Sequence, residues 1–318
     1  MRCKRIITCL LMLIFALVVM AYPPVAAHEN EVVVQTENEL LTAIENHVQT
    51  IVIDGYIPLS DEVIVTRNLT ITGQGVLTVS DNHRHFAIEH GSHLVLDGDI
   101  TLTRAANYIA RGGGIVVRRG TFTLYDGQIS DNYARWGGGV FLNLGNVNLN
   151  GGSVRNNYAM FGGGVYALGG HVTISGTNIN SNHAERGGGI YIGTQLGEQN
   201  LPVLTMRGGV ISDNFATFTG GGIFSSISNV FLERGVISGN IASGHGGVYI
   251  CVSTFHQIGS RIQIHDNYPR NRHEPPEMSL FERVIELLFS ITIIHIIVLF
   301  ALAGTGVYLS KRKNVRGG

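Results

Sequence analysis

The sequence predicts an all-β chain built as a parallel β-helix solenoid, and three observations predict it. A glycine triplet returns at a fixed interval: RGGGIV from Arg111, WGGGVF from Trp136, FGGGVY from Phe161 and RGGGIY from Arg186, their first glycines 25 residues apart. TGGGIF from Thr219 and GHGGVY from Gly244 continue the series after one longer step. An asparagine column, Asn107, Asn132, Asn157, Asn182, Asn214, Asn240 and Asn267, stands just upstream of the triplets. Between the marks lie short alternating segments such as Phe122/Leu124, Val147/Leu149, Val172/Ile174, Leu204/Met206 and Val230/Leu232, closed by Ile129, Val154, Ile179, Ile211 and Ile237. Period-2 alternation marks strands, and no helix of useful length fits inside one unit.

A unit of this length, folded as three short strands and three turns, buries its apolar face only against copies of itself. Stacked coils pair at about 4.8 Å. Glycine reaches backbone angles barred to other residues and permits close approach, so the triplet is read as one corner. Asparagine tolerates the left-handed conformation, and its amide can bond to the asparagine above and below, so its column is read as a second corner. Leucine-rich repeats are excluded because β-branched residues, not leucines at fixed offsets, dominate.

The segments GQISDNYARWGGGVFL from Gly127 and GVISDNFATFTGGGIF from Gly209 carry a likeness beyond the general pattern. On them the chain resembles the right-handed parallel β-helix proteins of the pectate-lyase-like superfamily. More closely, it resembles bacterial surface proteins with I-S-x-N-x-A-x-x-GGG-V-Y repeats, a pattern related to adhesin-like and polymorphic surface proteins. The resemblance spans residues 31–268 and implies the fold far more than an activity.

The remaining elements follow in order. Residues 1–27 read as a secretory signal: Arg2, Lys4 and Arg5, then an apolar run, then Val25-Ala26-Ala27. Residues 28–100 form an N-terminal cap and less regular first coils. Thr36 and Glu39 make a capping-box signature before Leu40, Leu41 and Ile44, predicting a short helix over the open end of the stack. Strands are expected at residues 51–53, 63–65, 69–71, 76–79, 86–88 and 94–96. The regular repeats occupy 101–268, a Pro-bearing linker 269–283, and a transmembrane helix 284–309, whose residues 287–309 carry no formal charge. Lys311, Arg312, Lys313 and Arg316 then form a cytoplasmic basic tail over 310–318. This layout places the chain in a cell membrane as a single-pass protein, its N-terminal domain outside and its host a Gram-positive-type bacterium. The stretch EPPEM at 274–278 is not the LPxTG motif of wall-sorted proteins, so a retained anchor is favoured over wall attachment. No barrel-sized domain follows the repeats, which disfavours an autotransporter.

Composition narrows the function. Twenty-two Lys+Arg against 23 Asp+Glu leave a net charge of -1, with no electrostatic case for nucleic acid. Cys3 and Cys9 fall in the signal, leaving Cys251 alone and read as inert. Catalysis by paired carboxylates fits poorly. In the column before the asparagines, Asp131 and Asp213 stand three coils apart, about 14 Å, and Asp213 and Asp266 two coils, about 10 Å. Glycoside hydrolysis needs roughly 5 to 9.5 Å. His83 and His85, on one strand face with His90 and His93 one turn later, have metal-like spacing, but a solvated bend is the better reading. No catalytic, metal or cofactor site is assigned.

The most informative feature is aromatic. Directly after the asparagines come Tyr108, Tyr133, Tyr158, His183, Phe215, Ile241 and Tyr268, a column expected to face outward. A second column, Phe141, Tyr166, Tyr191, Phe224 and Tyr249, is also expected outside, and Arg111, Trp136, Phe161 and Arg186 are expected to stack with cation–π contacts at both ends. Such rows either brace the stack and cover the glycine backbone or form a recognition surface for a polysaccharide or a surface protein. Residues 193–202 form an insert expected to project as a loop. The expected function is a membrane-anchored, non-catalytic binding face for adhesion or glycan binding. A polysaccharide lyase or hydrolase, or a pure spacer, are the alternatives.

Overall fold

The computed structural model describes residues 31–79, 83–104, 109–194, 200–257, 260–270 and 272–273. The expected signal, the expected transmembrane helix and the basic tail, together with Asn107 and Tyr108, lie outside the described residues. Among the described residues no helix is long and apolar enough to cross a membrane.

The described residues form a parallel β-solenoid. A 23-stranded sheet runs around it, and a separate six-stranded sheet closes one face. In the coil that begins at Tyr133 there are three strands, Tyr133–Trp136, Val140–Leu149 and Ser153–Arg155. The next coil has four, Tyr158–Phe161, Val165–Ala167, His171–Ile174 and Asn178–Asn180, and those after it repeat that plan. The expected three strands per unit are thus corrected to four from Tyr158 onward. The long strand is already bent, its register slipping between Leu142 and Asn146, and the turn at Gly169-Gly170 divides its successor.

Register is strict. Val140 pairs with Val165, Val165 with Ile190, Ile190 with Ile223, and Ile223 with Val248. Inward columns such as Val172, Leu204 and Val230 or Val154, Ile179, Ile211 and Ile237 are almost wholly buried and form one continuous core. Each coil therefore desolvates its neighbours, which is how a flat unit without its own core becomes stable.

The helix Glu37–Glu45 closes the N-terminal end. Thr36 Oγ1 accepts from Glu39 N at 3.3 Å and a Glu39 carboxylate oxygen accepts from Thr36 N at 3.1 Å, completing the capping box. A stronger bond from Gln35 N to the same carboxylate holds the Glu39 pKa down. Leu40 and Ala43 are buried, while Leu41 is exposed. The first coils use longer strands, Thr50–Leu59, Leu69–Val79 and His93–Arg104. They cross a corner at stacked Gly73 and Gly98; Gly73 has φ 101°, and a Cβ there would lie 2.3 Å from the Ile53 carbonyl oxygen.

The asparagine corner is an amide ladder. Asn132, Asn157, Asn182, Asn214 and Asn240 are each essentially inaccessible. Each donates through Nδ2 to Oδ1 of the next, at 3.1, 3.0, 2.9, 2.9 and 2.9 Å, ending on Asn267. The same Oδ1 also accepts the backbone N–H of the previous asparagine, at 3.0 Å throughout. The left-handed backbone expected of the asparagines belongs instead to the residue before each: Asp131, Asn156, Ser181, Asp213 and Asp266 have φ between 54° and 58°, and Gly239 has 66°. Short polar residues and glycine tolerate that region, which explains the mixed composition of the column.

Asn182→Ala removes the acceptor for Asn157 N and Nδ2 and the donor to Asn214 Oδ1 and the Val154 carbonyl, all buried. We expect about 3–5 kcal/mol of lost unfolding free energy by chemical denaturation. Asn180→Ala, whose amide reaches only Ser181 Oγ at an exposed turn, should cost less than about 0.5 kcal/mol.

Candidate functional site

The six-stranded sheet joins Ile109–Arg111, Tyr133–Trp136, Tyr158–Phe161, His183–Arg186, Phe215–Thr219 and Ile241–Ala242. Its second-position alanines Ala134, Ala184, Ala216 and Ala242 are buried. The preceding residues therefore point the other way, since strand side chains alternate. Tyr133, Tyr158, His183 and Phe215 form a stacked row with ring centroids 4.9, 5.5 and 4.6 Å apart. Ile241 and Tyr268 extend it through one more bridge. Tyr158 is 42% exposed, Phe215 38%, Ile241 46% and Tyr268 70%. Burial between its neighbours lowers the His183 pKa, so at neutral pH the ring stacks uncharged.

The stacking geometry decides what this row offers. Tyr133 and Tyr158 lie within 5° of parallel, so the faces of the rings meet each other. The exposed elements are ring edges and phenolic hydroxyls, a ridge rather than a series of open platforms.

The second aromatic column is equally regular but differently placed. Phe141, Tyr166, Tyr191, Phe224 and Tyr249 stack at 5.4, 4.8, 4.7 and 5.2 Å. It lies outside the main core, yet Phe141 is 2% and Phe224 8% exposed, which corrects the expected outward display for those two, whereas Tyr166, Tyr191 and Tyr249 are partly exposed. Residues just before and after the triplets fold over it. Trp136 and Leu168 pack on the Phe141 end, Phe161 sets its edge against Tyr191 at 5.6 Å, and His245 lies 5.3 Å from Tyr249. Burial pushes the Tyr166 hydroxyl up to about 12 and raises Tyr191 against an opposing pull from Arg186.

The Arg111-Trp136-Phe161-Arg186 column is correspondingly divided. Arg111 sits over both Trp136 (5.6 Å) and Phe141 (5.5 Å), and Arg135 covers Trp136 at 4.5 Å. At the other end Arg186 turns from Phe161 to Phe218, 5.5 Å away. Phe218 is an exposed ring that the column spacing passes over. It belongs to a bulge, because Ala184 pairs with Ala216 but Arg186 with Thr219. The bulge is written in the sequence: the asparagine-to-triplet distance is five residues at Asn132, Asn157 and Asn182 and six at Asn214.

The chemical candidates disperse. Asp131, Asp213 and Asp266 hold the left-handed turn positions, and Asp266 lies 2.7 Å from its neighbour His265. Among the described residues no three His, Cys, Asp or Glu side chains gather as metal ligands. His83 lies 2.8 Å from Asp61, and His93 Nε2 lies 2.9 Å from Thr123 Oγ1. His90 is exposed, and His85 is fully buried, its Nε2 facing the carbonyls of Leu77 (3.0 Å) and Thr103 (2.8 Å). The expected shared face of His83 and His85 is therefore not formed. Cys251 is a half-buried free thiol. No family model, curated protein or solved structure matches the chain. What the outward row offers is apolar contact and phenolic hydrogen bonding, repeated at coil spacing.

Burial pushes His85 down to about 4, the two carbonyl bonds opposing only in part. The unfolded chain binds its proton near pH 6.5. Stability is therefore lost as pH falls from about 6.5 toward 4, by roughly 3 kcal/mol from this residue. In His85→Gln, which keeps a donor to the carbonyls, denaturation midpoints measured between pH 7.5 and 4.5 should fall less steeply than in wild type.

Proposed function

We propose that this chain is a non-catalytic binding rod of a bacterial cell surface, its coils right-handed as parallel crossovers favour. In this reading it is held by a single membrane span near its C-terminus and grips a linear polymer, above all a polysaccharide, along the outward row. The observation that carries the reading is the row itself: Tyr133, Tyr158, His183, Phe215 and Ile241 stand in register on the six-stranded sheet, and Tyr268 continues them through one bridge, as a mainly apolar ridge.

Braced stacking accounts for the interior of the ridge but not for leaving Phe215, Ile241 and Tyr268 in water, where each forgoes burial worth about 25 cal/mol per Å². Exposed apolar rows flanked by polar groups mark contact surfaces. Here Arg135, Thr217 and Arg186 supply the flank. A ligand with its own repeat meets similar contacts at successive coils, so weak local contacts sum along its length. Ring edges and hydroxyls suit a hydroxyl-rich chain lying along the ridge.

The test is binding of cell-wall and host polysaccharides to wild type and to a Tyr158→Ala/Phe215→Ala/Ile241→Ser variant. The expected result is at least a tenfold loss of affinity with a modest drop in melting temperature, since each ring contact contributes only about 0.5–1.5 kcal/mol. No polysaccharide binding by wild type, with a large drop in the variant's melting temperature, would assign the row to scaffolding and the rod to a spacer.

A further inference from the structure

The bulge in the strand Phe215–Thr219 changes what the six-stranded sheet presents. Ala184 pairs with Ala216 and Arg186 with Thr219, so Thr217 and Phe218 together stand opposite the single residue Glu185. Both are exposed, where strict alternation would turn one of them inward. Phe218 is 51% exposed, more than Tyr158 or Phe215 in the row. Among the described residues no second ring stacks on it, and its neighbour is the Arg186 guanidinium, 5.5 Å from the ring centroid. Half in water and braced by one cation, Phe218 offers the flat platform that a row of rings packed face to face lacks.

The polar groups beside this platform are uncommitted. Glu185 alternates outward in the coil that precedes the bulge and is half-buried. Among the described residues its carboxylate and the Arg186 guanidinium form no ion pair with each other or with any other side chain. A guanidinium laid on a ring keeps its N–H edge free to donate, and a carboxylate accepts on both oxygens. Beside one apolar platform there are thus a donor edge and an acceptor edge.

That combination selects a ligand. A pyranose ring carries a C–H face and, around its rim, adjacent hydroxyls that both donate and accept. A purely apolar partner would desolvate the Glu185 carboxylate without replacing its water bonds. An anionic group would meet Glu185 as well as Arg186 and lose by one contact what it gains by the other. We infer that Phe218, Glu185 and Arg186 form the selective subsite of the ridge, where one uncharged pyranose of a bound polysaccharide lies on Phe218 with adjacent hydroxyls on Glu185 and Arg186. The inference rests on the reading of the row as a polysaccharide-binding ridge, and adds the point at which that ridge distinguishes one sugar from another. Groups placed to hydrogen-bond a hydroxyl discriminate against a sugar that carries it elsewhere, because they are then left unpaired.

The experiment is calorimetric titration of the full-length protein with cellohexaose, maltohexaose, xylohexaose and mannohexaose, and with the per-O-methylated form of whichever binds best. The best hexaose should bind at least about tenfold more tightly than the worst, and per-O-methylation, which leaves no hydroxyl to donate to Glu185, should abolish its binding. Phe218→Ala should weaken the best hexaose about tenfold and flatten the spread among the four, with the melting temperature held because the ring is exposed. Phe218→Tyr keeps the platform and should keep the spread, whereas Glu185→Gln and Arg186→Gln should each reduce it. Tyr158→Ala should weaken all four alike and leave the spread intact, which separates the row from the subsite. If wild type binds no hexaose, the reading of the row fails and the inference falls with it. If wild type binds all four alike, if Phe218→Ala keeps both affinity and spread, or if the per-O-methylated form binds as tightly, the inference alone is overturned.

Discussion

The two-centre bond from one asparagine to the next holds the solenoid in register. One Oδ1 receives both the backbone N–H and the side-chain Nδ2 of the asparagine in the preceding coil, so each link fixes a backbone position and a side-chain orientation together. The second Nδ2 proton reaches further back to a carbonyl such as Ile129 or Val154, tying the strand before the corner into the same network. Chains of such bonds polarise one another in a dry interior, and any gap leaves several buried polar groups unmet at once. The aromatic row depends on this directly. Tyr133, Tyr158, His183 and Phe215 each follow a ladder asparagine, so ring spacing is set by amide spacing.

The glycine corner acts by the opposite means, through the absence of side chains. A Cβ on Gly138 would stand 2.4 Å from the Gly163 carbonyl oxygen of the next coil, so backbone packs on backbone there. That close packing brings the residues before the triplet over those after it. It is why Trp136, Phe161 and Arg111 reach across to the Phe141–Tyr166–Tyr191 column and why that column is partly covered.

Much of this architecture was legible in the sequence because a solenoid converts sequence period into spatial stacking. The triplets, the amide ladder, the inward columns and the capping box could be read residue by residue. What could not be read arises where one column interacts with another. Alternation says that Phe141 points away from the core but not that Trp136 will fold over it. The spacing of His83 and His85 suggests a common face, yet His85 is drawn inward to the carbonyls of Leu77 and Thr103, residues of other strands. The left-handed turn was assigned to the residue of highest visible regularity, the asparagine, although the variable position before it carries the strain. Phe218 had a signal, the single six-residue interval, that the larger insertion nearby obscured.

The regularity that makes the rod stable also limits how it can recognise anything. Stacking at 4.6–5.5 Å, near-parallel at Tyr133–Tyr158 and tilted at His183–Phe215, turns ring faces toward each other, so the ring faces are largely taken up by the next ring in the row. A repeated ridge of edges offers nearly the same contact at every coil, so any selectivity it had would have to come from its length. Discrete selectivity requires a departure from the repeat. The repeat is broken in these coils at two places: the bulge sets Phe218 outside the row, and the interval from His171 to its partner Val203 is seven residues longer than that from Ala167 to Ile192. A strictly repeated row and a local break in the repeat are therefore two different answers to one constraint, and at Phe215 and Phe218 a single strand carries both.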